Sequence, residues 1–335
     1  MMQQLERPRR RISRRSLLAS MAAGAILAES SAATAQPAPA PARVKGPRVW
    51  LDMDQQELDD AYDQIKYAPN LPQIVKRYAT NSEAVRQRLG APTRLSYGST
   101  PIEGADLYAA KGANAPINIF IHGGAWRVGL ARDAAYPAEM FVAAGAHYIA
   151  IDFLNVTQTG GDLMPMAKQC RDAVAWVYKN AASFGGDPNR IYLSGHSSGA
   201  HLAGVVLVTD WEKNYGLPKD VIKGGLLCSG MFDLKAVRLS ARSSYVTFTV
   251  DMEQSLSSQR HLDKLNAPVI VAYGTLETPE FQRQSREFAA AVTAVGKPVT
   301  LLVAEHYNHF EIIETLGNPS GLLGRAVREQ MKLTT

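Results

Sequence analysis

Gly195-His196-Ser197-Ser198-Gly199 directly follows an apolar, strand-like run at 190–193 and opens an apolar, helix-like run at 200–208. A serine between strand and helix, with a glycine two residues away on either side, reads as a sharp turn that throws its hydroxyl out at the end of the strand. The glycines are required where the strand and helix backbones nearly touch. The helix start behind the serine favours negative charge developing beside it. The five-residue spacing alone is weak evidence. With a strand before it and a helix after it, Ser197 is expected to be a nucleophile.

The rest of the chain is consistent with such a unit. Runs at 117–121, 147–153, 225–228, 269–272 and 300–303 are short, apolar and rich in β-branched residues. Helical patterns at 163–184, 280–294 and 320–332 alternate with them. Apolar strands alternating with helices predict a mostly parallel sheet covered on both faces, an α/β fold. Segments 95–98 and 105–110 precede any long helix of that series and are expected to pair as an antiparallel edge. Ahead of them, 54–66 and 71–89 read as an N-terminal helical appendage; Asp54 with Glu57 forms a capping-box pattern, and Pro69 and Pro72 separate the two helices. A Ser-rich stretch, 231–262, breaks the rhythm and shows no clear strand. At that position it would hang over the C-terminal ends of the strands, where open α/β sheets bind ligands. Residues 49–335 are expected to form one domain.

A nucleophilic serine needs a base, an acid to orient the base, and donors for an oxyanion. His122-Gly123-Gly124-Ala125-Trp126 follows the strand at 117–121. Its two glycines let backbone N–H groups face an oxygen with no Cβ in the way. The oxyanion donors are therefore assigned to Gly123 or Gly124 together with Ser198. His122 is read as structural, and Trp126 as a wall of the substrate pocket or as simple packing. Two histidines, His306 and His309, follow the last strand; His309 opens an apparent helix and is preferred as the base. His196 and His201 are read as packing residues. Glu277, in the loop after 269–272, is the preferred acid and Asp233 the alternative, whereas Glu280 reads as a first-turn acid interacting with a helix dipole. The order Ser…Glu…His is that of the α/β-hydrolase fold.

Four segments carry a narrower resemblance. Gly274-Thr275-Leu276-Glu277-Thr278-Pro279-Glu280-Phe281-Gln282-Arg283-Gln284-Ser285 resembles the acid loop of kynurenine formamidases, and Asn308-His309-Phe310-Glu311-Ile312-Ile313-Glu314 resembles their histidine loop. The His122-Gly123-Gly124 and Gly195–Gly199 motifs are similar too, although many esterases and lipases share them. Ser229-Gly230-Met231-Phe232-Asp233-Leu234 also fits, which makes Asp233 look structural. The match spans roughly 95–315. It implies a serine hydrolase acting on a small ester or amide and needing no cofactor. Glu277 departs from it, because the family's acid is Asp; the longer side chain still reaches an imidazole.

The first 35 residues read as an export leader. Six arginines face two glutamates there, so the leader holds four of the five net positive charges of the chain. Ser13-Arg14-Arg15-Ser16-Leu17-Leu18 resembles a twin-arginine signal, a short apolar run follows, and Ala33-Thr34-Ala35 reads as a cleavage site. The expected location is therefore periplasmic or secreted, with the export machinery as a partner. Residues 36–48 read as a Pro/Ala-rich linker. The remaining body is nearly neutral, which argues against a nucleic-acid partner. Cys170 and Cys228 are expected to be buried free thiols. Two other classes compete with a hydrolase: a non-catalytic binder on the same fold, which would typically lack one of the three residues, and a cofactor-loaded redox protein, which only the leader suggests.

Overall fold

The computed structural model describes residues 43–333; the expected leader lies outside them, as does most of the expected linker. Lys45 onward forms one compact unit. It begins with a two-strand ribbon, β1 (Arg48–Trp50) and β2 (Met53–Asp54), followed by α1 (Gln55–Asp60) and α2 (Leu71–Leu89). β3 (Thr93–Ser96), β4 (Gly104–Tyr108) and β5 (Ala115–Ile121) come next. α3 (Ala138–Ala143) leads to β6 (His147–Ile151), α4 (Met164–Asn180) to β7 (Gly186–His196), and α5 (Ser198–Leu207) with the short α6 (Trp211–Tyr215) to β8 (Ile222–Cys228). α7 (Leu234–Leu239) and α8 (Val250–Leu256) precede β9 (Val269–Gly274), and α9 (Pro279–Ala294) precedes β10 (Val299–Ala304). α10 (Leu322–Met331) is the last helix.

The eight strands of the main sheet run in the order β10-β9-β8-β7-β5-β6-β4-β3. β4 alone runs against the others, pairing antiparallel with β3 on one side and β6 on the other. Every residue of β5, β6 and β9 is buried, so these strands read as continuous apolar runs and not as alternating ones. Successive residues nevertheless serve different cores. Ile117, Ile119 and Ile121 face the core built with α4, α5 and α9, whereas Phe120 faces the core built with α3 and α10. All ten residues of α5 are buried. Burying side chains such as Leu202, Val205 and Val206 contributes about 1.5–3 kcal/mol each, which holds the start of α5 rigidly behind Ser197.

Local chemistry explains where the elements depart from the sequence-based expectation. The capping box forms: the Asp54 carboxylate accepts the Glu57 N–H at 3.0 Å and the Glu57 carboxylate accepts the Asp54 N–H at 2.9 Å. The helix expected over 54–66 stops at Asp60, however, and the Asp63 side chain accepts the Ile65 N–H to start a separate 3₁₀ turn. The helix expected to open at His309 starts later, as a 3₁₀ segment at Ile312. The Asn308 side-chain oxygen Oδ1 accepts the N–H groups of Phe310 and Glu311, which favours a turn at that point. The Ser-rich stretch is largely helical. Its α7 is capped by Asp233, and Arg260 ties Asp233 to Glu253 of α8. Cys170 and Cys228 are buried free thiols, and burial raises the pKa of each.

Candidate active site

Five loops at the C-terminal ends of β5, β7, β8, β9 and β10 converge at one place. At the end of β7, Ser197 takes φ 57° and ψ −125°, a left-handed conformation that costs a non-glycine residue on the order of 1–3 kcal/mol. Backbone bonds on both sides hold it: the Ser197 N–H donates to Cys228 at 2.9 Å, and its carbonyl accepts the His201 N–H at 3.1 Å. The flanking glycines are forced by contact. A Cβ on Gly195 would lie 2.5 Å from the Gly199 carbonyl oxygen, and one on Gly199 would lie 2.1 Å from that of Ile121. Gly199 thus presses on the end of β5 as well as on its own turn. Gly199→Ala is expected to destabilise the protein by about 1–3 kcal/mol, because only backbone can give way; a urea midpoint equal to wild type would refute this.

Ser197, His309 and Glu277 come together in a buried relay. Ser197 Oγ lies 2.8 Å from His309 Nε2, and His309 Nδ1 lies 2.7 Å from Glu277 Oε2. The other carboxylate oxygen, Oε1, accepts the Ser229 hydroxyl and the Gly274 N–H, each at 2.6 Å. An ionised carboxylate only accepts hydrogen bonds, so Nδ1 of His309 carries the proton and Nε2 is left to accept from Ser197. The chain around the base is equally fixed. His196 Nε2 donates to the His309 carbonyl at 2.8 Å, and Phe281 meets the imidazole edge-on with centroids 4.8 Å apart.

The glycine loop after β5 abuts the serine. A Cβ on Gly123 would lie 2.9 Å from the His196 carbonyl oxygen and 3.1 Å from the Ser197 Cβ. Gly124 has φ 118°, and a Cβ there would lie 2.0 Å from the Val128 carbonyl oxygen. The Trp126 N–H donates to Ser198 Oγ at 3.2 Å and so joins this loop to α5. Among the described residues, nothing accepts the N–H groups of Gly123, Gly124 or Ser198. The Trp126 indole is buried, and its Nε1 donates to His201 Nδ1 at 3.2 Å. Together with His122, Gly123, Ser198 and Phe153 it lines a cleft of about 110 Å³.

The BD-FAE family model matches residues 105–292, more than half of the chain. This protein belongs to the BD-FAE family. Kynurenine formamidase of Danio rerio is 28% identical over 287 residues, covering 82% of this chain and 95% of that protein. Two solved structures share the α/β-hydrolase fold. A candidate thioesterase from Silicibacter sp. superposes with a TM-score of 0.68 at 24% identity, over 80% of this chain and 97% of its own. An esterase from Pyrobaculum calidifontis superposes with a TM-score of 0.61 at 16% identity, over 84% and 98%. The chain is a hydrolase of the α/β-hydrolase type.

Other residues singled out in the BD-FAE chain lie as follows. Asp233 caps α7 and pairs with Arg260, away from the imidazole. His306 is exposed, and its N–H bonds Thr275 Oγ1. His122 stacks on Phe153 at 4.5 Å, and burial lowers its pKa. Glu280 is in the first turn of α9, but it is buried and more than a dipole partner: it pairs through both oxygens with Arg283 and accepts the Tyr62 hydroxyl at 3.0 Å. Tyr62 also accepts from Gln284, so the N-terminal appendage is bonded into the acid loop 218 residues further along the chain. Neither that contact nor the Ser229–Glu277 bond was anticipated. The only sequence cue was that Ser229 directly follows an apolar strand.

Two buried histidines of this BD-FAE enzyme give it a pH signature. Burial, with a smaller contribution from His309, holds His196 down to about 3, and burial holds His201 down to about 4. In the unfolded chain both protonate near 6.5. Their contribution is therefore present above pH 6.5 and is lost as pH falls towards 4 and then 3, because the unfolded state binds protons first. The urea midpoint is expected to drop across that window, and His201→Gln is expected to make the drop shallower. An equal slope in both proteins would contradict the assignment.

Proposed function

We propose that the enzyme hydrolyses small or aromatic carboxylic esters through an acyl-enzyme on Ser197. His309 Nε2 takes the hydroxyl proton as Oγ bonds the carbonyl carbon. The carbonyl oxygen becomes an oxyanion facing the N–H groups of Gly123 or Gly124 and of Ser198. Glu277 keeps the proton on Nδ1 and stabilises the imidazolium as it forms. The tetrahedral centre then collapses and the C–O bond to the leaving group breaks. The departing alkoxide takes the proton from His309. Water repeats the sequence on the ester of Ser197 and releases the acid, and Trp126 walls the cleft beside the acyl carbon.

The observation that carries this reading is the relay from Ser197 Oγ to His309 at 2.8 Å and on to Glu277 at 2.7 Å, beside three backbone N–H groups with no acceptor among the described residues. A second reading, hydrolysis of N-formyl or N-acyl aromatic amides, is favoured by the kynurenine formamidase of Danio rerio, 95% of which aligns with this chain. The same relay serves both, so rates discriminate: kcat/KM on p-nitrophenyl acetate is expected to exceed that on N-formylkynurenine. The reverse order would favour the amide reading, and no turnover of either would refute both. The arginine-paired leader supports action outside the cytoplasm. Fractionation is expected to recover the protein in the periplasm or medium, and recovery in the cytoplasm alone would refute export.

A further inference from the structure

One aromatic ring from the proposed base, the structure holds a guanidinium that lacks a carboxylate partner among the described residues. Arg242 lies in a 3₁₀ turn, residues Ala241–Ser244, between α7 and α8. Its Cζ is 5.6 Å from the Trp126 ring centroid, 5.7 Å from that of Tyr62 and 5.9 Å from that of Phe281. Phe281 packs directly on His309, so one ring separates Arg242 from the proposed base, and the backbone N–H of Trp126 bonds Ser198, the residue after the nucleophile. Arg94, Arg260 and Arg283 each meet two carboxylates, as a half-buried cation normally finds at least one. Arg242 has only neutral partners: Nη1 donates to the Tyr245 hydroxyl at 2.8 Å, and Nη2 donates to the Tyr62 carbonyl at 3.2 Å. One N–H remains on each of these nitrogens. The Nε–H is buried without an acceptor. Arg127, one residue after the wall residue Trp126, is exposed and stacks on the face of Tyr245 at 4.9 Å, which adds a second positive charge to the same rim.

The unspent N–H groups on Nη1 and Nη2, on a guanidinium flanked by aromatic rings, match a planar carboxylate. We infer that Arg242 is a specificity-determining residue that binds a carboxylate on the substrate, so that the preferred ester or amide is anionic. This inference rests on Ser197 being the nucleophile. It adds that the substrate carries a charge remote from the bond that is cut.

The test compares 4-acetoxybenzoate with its neutral counterpart, methyl 4-acetoxybenzoate, following release of the phenol. Within each protein the ratio of the two kcat/KM values is taken, which cancels any general loss of activity. Arg242→Gln is expected to lower the acid-to-ester ratio ~10-fold or more, mainly by raising KM for the acid. Arg242→Lys keeps the charge but loses the fork, so it is expected to lower the ratio less. Tyr245→Phe, which frees Nη1, is expected to lower it slightly. A ratio unchanged in both Arg242 variants would overturn the inference while leaving Ser197 as the nucleophile. Fluorophosphonate labelling of each variant reports whether its site is assembled. A wild-type protein that cleaves neither compound and takes no label would overturn the serine-hydrolase reading, and this inference with it.

Discussion

Replacing Ser197 by alanine is expected to lower turnover of p-nitrophenyl acetate by about 10⁴–10⁶-fold. The variant loses one oxygen and little else. Its backbone remains at φ 57°, held by the bonds to Cys228 and His201, and alanine meets the same steric cost there as serine. The melting temperature should therefore stay close to wild type while acyl transfer fails for want of a nucleophile. Residual activity should be hydrolysis by water helped only by the backbone donors, with no burst of product. A variant that kept half its activity would contradict the assignment, and a variant that failed to fold would show in the melting curve.

Glu277→Gln is expected to lower kcat by roughly 10³–10⁴-fold with KM little changed. The geometry makes the direction specific. Ser229 and Gly274 both donate to Oε1, so the glutamine oxygen will occupy that position. Its NH₂ group must then face His309 Nδ1, 2.7 Å away, and Nδ1 has to accept where it now donates. The imidazole proton moves to Nε2, which can no longer take the proton of Ser197. The substitution removes one charge, keeps the shape and selects the wrong tautomer. A loss smaller than tenfold would mean that Glu277 does not set the protonation of the base.

The parts of this site legible in the sequence are those whose spacing is forced by local contact. Gly195 and Gly199 announce the turn because no Cβ fits at either position, and Gly124 announces its loop because its φ is 118°. The central strands β5, β6 and β9 are legible because burial on both faces makes them unbroken apolar runs. The short helices α3 and α6 are not, since six and five residues carry too little periodicity to stand out. Start and stop points fell to side chains that compete for the backbone, as Asp63 and Asn308 do. Contacts between distant segments left no signal at all. Nothing near Tyr62 indicates that it will bond Glu280 and Gln284, and nothing in the Ser-rich stretch indicates that Arg242 will stand among Trp126, Tyr62 and Phe281.

The central claim is that one serine, activated by His309, performs the chemistry. Incubation with a fluorophosphonate followed by peptide mass spectrometry tests it directly. The account predicts one adduct per chain, on Ser197, forming in step with loss of esterase activity and absent from His309→Ala. An adduct on Ser198 or Ser229, or activity that survives full labelling of Ser197, would contradict it.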